Sequence, residues 1–282
     1  MIDRLCVVGL GLLGGSVARA ARERGLAREI VAVGRRASSL EPALRAGVVD
    51  RATTDLAAGV AGTDFCLLAT PVTALEGQLA AVWAALPGHA LVTDVGSTKG
   101  RIVETAEALA AQRPLAFVGS HPMAGSERAG FAEARADLFH GATVILTPTE
   151  RTPADAVARV RGFWEALGGR VILLDPTTHD RAVAAVSHLP HLVADALVDA
   201  VLRMDPSFLD VAARGFRDTT RIAASSPEIW REIFQDNRAA LGEAVAAFRK
   251  SLDHLEGVIA SGDDAAVEAE LKRIKQAREA LG

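Results

Sequence analysis

Leu5-Cys6-Val7-Val8-Gly9-Leu10-Gly11-Leu12-Leu13-Gly14 reads as a β-strand feeding a GxGxxG turn, and the stretch from Gly15 to Arg24 that follows is helix-forming. Glycines at these spacings permit a tight turn, close backbone approach to a pyrophosphate and close helix-on-strand packing, while the helix N-terminus offers free amides to an anion. The segment therefore predicts a dinucleotide-binding βαβ unit, with Gly9, Gly11, Leu12, Leu13 and Gly14 at the cofactor.

The end of the second strand speaks to which dinucleotide. An NAD site places Asp or Glu there, about 20 residues beyond the turn, to bond the ribose hydroxyls. Here Val33 is followed by Gly34-Arg35-Arg36, with Ser38 and Ser39 beyond. Two guanidinium groups where a carboxylate would stand suit a 2′-phosphate. NADP is expected, held by Arg35, Arg36 and Ser38, with NAD as the alternative.

Outward from the turn, short β-branched runs alternate with Ala-rich helical patterns through the first 175 residues, the pattern of a parallel sheet. Strands are expected at Leu5–Gly9, Ile30–Val33, Phe65–Ala69, Ala90–Val95, Phe117–Gly119, Thr143–Thr147 and Val171–Leu174. Thr152 before Pro153 should cap a helix that Gly168-Gly169 closes. After Asp175-Pro176 the strand-like runs stop and 3.6-residue apolar patterning continues, so residues 1–175 and 176–282 are expected to be two domains, the second all-helical. From Asp236 to Leu281, the stripe through Leu241, Val245, Phe248, Leu252, Leu255 and Ile259 is suited to a homodimer interface.

With 282 residues the chain is long enough for two domains, and a net charge of −4 gives no footprint for nucleic acid or a polybasic membrane contact. Met1-Ile2-Asp3-Arg4 leads into the first strand without a basic leader, and no apolar run reaches the roughly 18 residues of a membrane span, so a cytoplasmic protein is expected. Cys6 and Cys66 sit in apolar runs and read as small buried hydrophobes. The chain has no tyrosine, which excludes the short-chain dehydrogenase chemistry that relays its proton through a tyrosine.

Five further segments follow predicted strands or lie in the second domain. They are Ala69-Thr70-Pro71-Val72; Asp94-Val95-Gly96-Ser97-Thr98-Lys99-Gly100; Gly119-Ser120-His121-Pro122-Met123-Ala124-Gly125-Ser126-Glu127; Ser187-His188-Leu189-Pro190-His191; and Gly215-Phe216-Arg217-Asp218-Thr219-Thr220-Arg221. In this order, from the Gly loop to about Asn237, the chain closely resembles the prephenate/arogenate (cyclohexadienyl) dehydrogenases of tyrosine biosynthesis. The resemblance implies a Rossmann-type doubly wound, mostly parallel sheet followed by an all-α dimerisation domain, with the active site between them. It also implies the reaction: hydride leaves the ring carbon bearing the hydroxyl, the ring carboxylate departs as CO2, and the ring becomes aromatic.

The resemblance assigns the residues. His121 accepts the hydroxyl proton, as an imidazole titrating near neutrality can, and Ser97 bonds the same hydroxyl or caps the helix expected to begin near Thr98. Arg221 is the carboxylate anchor, since guanidinium pairs bidentately with carboxylate. Arg217 is expected to pair with Asp218 or a helix end. His188, His191, Ser126 and Trp230 are further candidates for substrate contact; Trp230 could close the pocket, although a Trp on an amphipathic helix is core more often than not. Thr70 and Pro71 join the cofactor residues. His188 and His191, with His179 as a third, have metal-ligand spacing, but the family works without metal and no carboxylate or thiolate completes a set, so none is expected.

Two substrates fit the family, prephenate and arogenate, and an enzyme accepting both is a third possibility. A β-hydroxyacid dehydrogenase would need a lysine early in the second domain, and there is none between Asp175 and Ser225. A non-catalytic NADP sensor would leave His121, Ser97 and Arg221 unexplained. No βαβ pattern follows Asn237, so control by the end product is expected only through competition in the active site.

Overall fold

The computed structural model describes residues 1–125 and 130–281. Eight strands form one sheet: β1 (Ile2–Val8), β2 (Ala27–Val33), β3 (Arg51–Thr53), β4 (Phe65–Leu68), β5 (Leu91–Asp94), β6 (Ala116–Pro122), β7 (Thr143–Thr147) and β8 (Arg170–Leu173). The order is β3-β2-β1-β4-β5-β6-β7-β8, parallel except where β7 runs against β6. The doubly wound, mostly parallel sheet expected from the sequence is present. The three-residue edge strand β3 is an addition, too short for its alternation to register in the sequence.

Helices flank the sheet: α1 (Leu12–Glu23), α2 (Ala37–Arg45), α3 (Leu56–Val60), α4 (Val72–Ala85), α5 (Gly100–Gln112) and α6 (Ala154–Ala166). Side chains alternate across each strand, so Leu5 and Val7 of β1 enter the core shared with Val17 of α1 and Phe163 of α6, while Cys6 and Val8 enter the core beside Leu75 of α4 and Val103 of α5. Both strand faces being buried is why Leu5 to Val8 of β1 and the whole of β4 read as unbroken apolar runs. Leu67 and Leu91 are fully buried, and truncating either to Ala would cost about 2–5 kcal/mol. Cys6 and Cys66 are adjacent free thiols with no exposure. Thr152 does not cap α6; its hydroxyl accepts from Thr149 N instead, and Pro153 holds the cap position.

The chain leaves the sheet at Leu173 and enters a helical region: α7 (Pro176–Val183), α8 (Leu189–Met204), α9 (Arg214–Thr220), α10 (Pro227–Asp236), α11 (Arg238–Ala260) and α12 (Asp264–Glu279). Asp175 caps α7 by accepting from Thr178 N, with Pro176 at a first-turn position that has no amide to satisfy. Between α7 and α8 the helix does not break at Pro190. It widens into a π-turn over Ala184–His188, closed by Leu189 N on Ala184 O, which accommodates a proline ring that would press on the carbonyl four residues back. Pro176–Met204 thus runs on for 29 residues and is long and apolar enough to cross a membrane by length and composition, with only 17% of its apolar window buried. The expectation that no stretch reaches that length is corrected here. The long stripe predicted after Asp236 is divided by Gly262 at φ 68° into α11 and α12. Leu241 is buried, whereas Phe248, Leu252 and Ile259 are exposed in the single chain.

Candidate active site

Two adjoining grooves meet at the C-terminal ends of β1, β4, β5 and β6, where an open α/β sheet presents its loops. The first, about 560 Å³, is lined by Gly9, Gly11, Arg35, Arg36, Ser39, Thr70 and Pro71, among others. Gly9 has φ 96°, and a Cβ there would lie 2.4 Å from Ala69 O; a Cβ on Gly14 would lie 2.0 Å from Gly9 O. These two glycines serve turn and packing. At Gly11 an added Cβ would meet nothing within 4 Å, and Gly11 caps α1 without any side-chain hydrogen bond. The backbone at Gly11 therefore borders open space, with the first amides of α1 uncapped, as a bound pyrophosphate requires. Arg35 and Arg36 are exposed on this groove, with no ion-pair partner among the described residues. Ser38 departs from expectation: it faces a separate depression with Leu40 and Leu44, and the serine on the groove is Ser39. Leu12 and Leu13 line the neighbouring cleft rather than the dinucleotide groove.

The second cleft, about 710 Å³, brings together Ser97, His121, Arg221 and Trp230 from elements far apart in sequence. His121 sits near the end of β6, 8% exposed. Its Nδ1 lies 2.9 Å from His179 Nε2, and His179 Nδ1 lies 2.8 Å from Asp180 Oδ1. The carboxylate only accepts, so His179 carries its proton on Nδ1 and accepts at Nε2; His121 then donates from Nδ1, leaving its Nε2 lone pair free. The array sets the tautomer of His121.

Asp180 has a second task. Its two oxygens accept from Lys99 N and Gly100 N, each at 2.8 Å, and so cap α5 from the helical region. Ser97 is thus relieved of the capping role and lines the cleft. Burial raises the Asp180 pKa, but the His179 bond and these two amides outweigh it and hold the carboxyl below its ordinary value. Burial, reinforced by the charges of His179 and Lys99, pushes the His121 pKa well below 6.5. The near-neutral titration expected of it is corrected accordingly.

Beneath this layer the fully buried Lys99 pairs with the fully buried Asp94. Asp94 also accepts from Gly96 N at 2.8 Å and Ser120 N at 3.0 Å, tying the Ser97 loop to the strand of His121. Trp164 Nε1 donates to Ser120 Oγ at 3.1 Å, holding the same strand from its other face. None of these supporting residues carries a motif that marks it as such, although Asp94 and Lys99 lie within a quoted segment.

Arg221 opens a 3-10 turn, Arg221–Ala224, with an exposed side chain and no ion-pair partner among the described residues. Arg217 bonds Ala212 O at 3.2 Å, while Asp218 pairs with Arg214 instead. His188 and His191 stand behind the cleft wall rather than on it: His188 Nδ1 is 3.2 Å from Asn237 Nδ2, and the His191 ring stacks on Trp230 at 3.5 Å. In place of the expected substrate contact, both rings pack on Trp230, which does line the cleft. His179 joins His121 and Asp180 rather than the other two histidines as a ligand set. Ser126 lies outside the described residues. Sequence reasoning also missed Glu232, which borders both grooves from α10.

The family model for the prephenate dehydrogenase nucleotide-binding domain matches residues 17–173, and that for the prephenate dehydrogenase dimerization domain matches residues 175–273. The chain is 34% identical to the cyclohexadienyl dehydrogenase of Zymomonas mobilis over 285 residues, covering 100% of this chain and 97% of the relative. It is 32% identical to the prephenate dehydrogenase of Bacillus subtilis, covering 100% of this chain and 76% of the relative. Among solved structures, prephenate dehydrogenase from A. aeolicus in complex with hydroxyphenyl propionate and NAD+ superposes with a TM-score of 0.93 at 35% identity, covering 100% of this chain and 99% of that one. Synechocystis arogenate dehydrogenase gives 0.87 at 34% identity, covering 99% and 100%.

Proposed function

The chain belongs to the prephenate dehydrogenase family and is an oxidoreductase of tyrosine biosynthesis, and we propose that its substrate is prephenate, its preferred hydride acceptor NADP and its working place the cytoplasm. The observation that carries the reading is one cleft lined by Ser97, by His121 with its Nε2 left unprotonated, and by an Arg221 that has no ion-pair partner among the described residues. When bound in the groove of Gly9 and Gly11, the nicotinamide dinucleotide supplies the hydride acceptor.

The chain's own residues do the rest. Arg221 takes a carboxylate of the substrate bidentately and sets its orientation. Ser97 hydrogen-bonds the ring hydroxyl, and His121 Nε2 accepts the hydroxyl proton as hydride leaves the same carbon. The electrons of the breaking bond to the ring carboxylate enter the ring, CO2 departs, and aromatisation makes the step strongly downhill. His121 must be neutral to act, and its depressed pKa keeps it so.

For the cofactor, Arg35 and Arg36 face the groove where a 2′-phosphate would lie, and the only acidic residue on that groove among the described residues, Glu232, comes from α10 rather than from the end of β2. NAD is the second reading, favoured by the dinucleotide bound to the A. aeolicus relative. A homodimer through the helical region is the assembly we propose: a dimerization-domain model matches there, and Phe248, Leu252 and Ile259 of α11 are exposed in the single chain. Steady-state comparison of prephenate and arogenate with both cofactors tests the proposal. The highest kcat/KM is expected for prephenate with NADP, and no reduction of either cofactor by either substrate would overturn it.

A further inference from the structure

The dinucleotide groove and the cleft of His121 share one rim, formed by Gly11, Ala69, Thr70, Pro71 and Glu232. Glu232 alone in that set carries a charge, and it is the only acidic side chain among the described residues lining either groove. Its place is fixed from α10. One turn further along that helix, Asp236 accepts from the Thr98 hydroxyl at 2.6 Å and from Arg101 at 3.0 Å, and Arg101 reaches on to Glu76 of α4 at 2.7 Å. Positions four apart share a helix face. Glu232 accordingly lies against the start of α4, where Thr73 N donates to its Oε2 at 3.4 Å. Its side chain is 14% exposed, and its ion-pair partner Arg231 stands 4.0 Å away with a side chain 70% exposed. The rim thus holds a negative charge largely out of water and weakly compensated.

A carboxylate here works against most of what the grooves receive. The dinucleotide brings a pyrophosphate, prephenate brings two carboxylates, and like charges facing one another oppose binding. One group among these ligands is cationic: the nicotinamide ring of the oxidised cofactor. To reach from the groove of Gly9 and Gly11 to the cleft of His121, that ring must cross the shared rim. Hydride transfer makes the ring neutral, so a carboxylate that attracts the oxidised form loses its hold on the reduced one.

We propose that Glu232 is a specificity-determining residue for the redox state of the cofactor: held at the rim by α10, its carboxylate attracts the cationic nicotinamide ring, favouring entry of the oxidised form and release of the reduced one. The inference rests on the function proposed above for the presence of a nicotinamide dinucleotide, and not on the choice between NADP and NAD.

Calorimetric titration of the full chain without substrate tests it, with NADP+ and NADPH as one pair of probes and NAD+ and NADH as the other. Glu232→Gln removes the charge and keeps an oxygen that can accept from Thr73 N. Its preference for the oxidised over the reduced form should fall about fivefold, the worth of a partly screened ion pair, through weaker binding of the oxidised form in both pairs. Glu232→Ala should show the same fall although it also loses the contact with α4. An unchanged preference in both variants overturns the inference. So does equal weakening of both forms in Glu232→Ala alone, which would make Glu232 a helix cap, or equal tightening of NADP+ and NADPH, which would place it at the 2′-phosphate. A changed KM for arogenate with the cofactor preference intact would assign the carboxylate to a substrate ammonium and overturn it as well. Binding of none of the four probes would instead overturn the dinucleotide reading in the proposed function.

Discussion

His121 Nδ1 and His179 Nε2 lie 2.9 Å apart, and the carboxylate of Asp180 on the far side of His179 decides which of the two donates. The histidine proposed as general base, on the sheet, is thereby oriented by a pair on the first helix beyond it. Asp180→Asn removes the fixed acceptor and lets the tautomers invert, while its amide oxygen can still cap one α5 amide. In a comparable histidine–carboxylate arrangement that change costs about 10⁴-fold in kcat, so a fall of roughly 10²- to 10⁴-fold with little change in KM is expected. Steady-state kinetics checks it; an unchanged kcat would mean that His121 needs no such orientation.

In the proposed mechanism Arg221 holds a carboxylate present in both ground and transition states. Arg221→Gln should therefore chiefly raise KM, by about 10- to 150-fold for the loss of a charge-assisted bond of roughly 1.5–3 kcal/mol. An unchanged KM with a collapsed kcat would place the arginine's action in decarboxylation alone.

The sequence made the Gly loop and the parallel sheet legible because both are local. Four apolar residues before GxGxxG can only be a buried strand feeding a tight turn, and each buried strand carries its own signal. His121, Ser97 and Arg221 are named by motif and Trp230 as a side chain that could close the pocket, and the four line one cleft. The His179–Asp180 support was not legible, because 58 residues separate His179 from His121 and packing of α7 against α5 and β7 brings them together. The misplacement of Ser38 has a similar cause. A helix turn of 100° per residue separates Ser38 from Ser39, and no composition signal tells which faces the groove. His188 and His191 read as paired ligands from their spacing, yet a π-turn before Pro190 and stacking on Trp230 set where their rings go.

Arg35 and Arg36 give a cofactor prediction that stands apart from the chemistry. Replacing both by Ala should lower kcat/KM for NADP by about 10- to 150-fold, the worth of one charged hydrogen bond, and leave NAD nearly unaffected. Titration of both cofactors against both proteins reads it. Equal losses, or a wild type that prefers NAD, would show that the arginines are solvated loop residues.

Acid should weaken the fold before it protonates most carboxylates. Burial drives the His188 pKa from 6.5 to about 4, and His121, His179 and His191 shift in the same direction, burial being the largest cause in each. Above pH 6.5 these groups are neutral folded and unfolded alike and contribute no slope. As pH falls from about 6.5 to about 4, the unfolded chain takes up protons that the folded chain refuses, so stability is lost across that window. Tm should fall steadily there, and His188→Gln should flatten the slope even while lowering Tm at neutral pH. A Tm that holds level through the window would contradict the burial of these histidines.

The central claim is that the cleft around His121 couples hydride removal to decarboxylation, and the most direct measurement is the CO2 released per reduced cofactor formed, in wild type and in His121→Ala. With prephenate and NADP, wild type should yield equal amounts of both, appearing together, and His121→Ala should slow both by the same factor, roughly 10²- to 10⁴-fold, the usual worth of a general base. Reduced cofactor without matching CO2, or a His121→Ala variant turning over at the wild-type rate, would contradict the account.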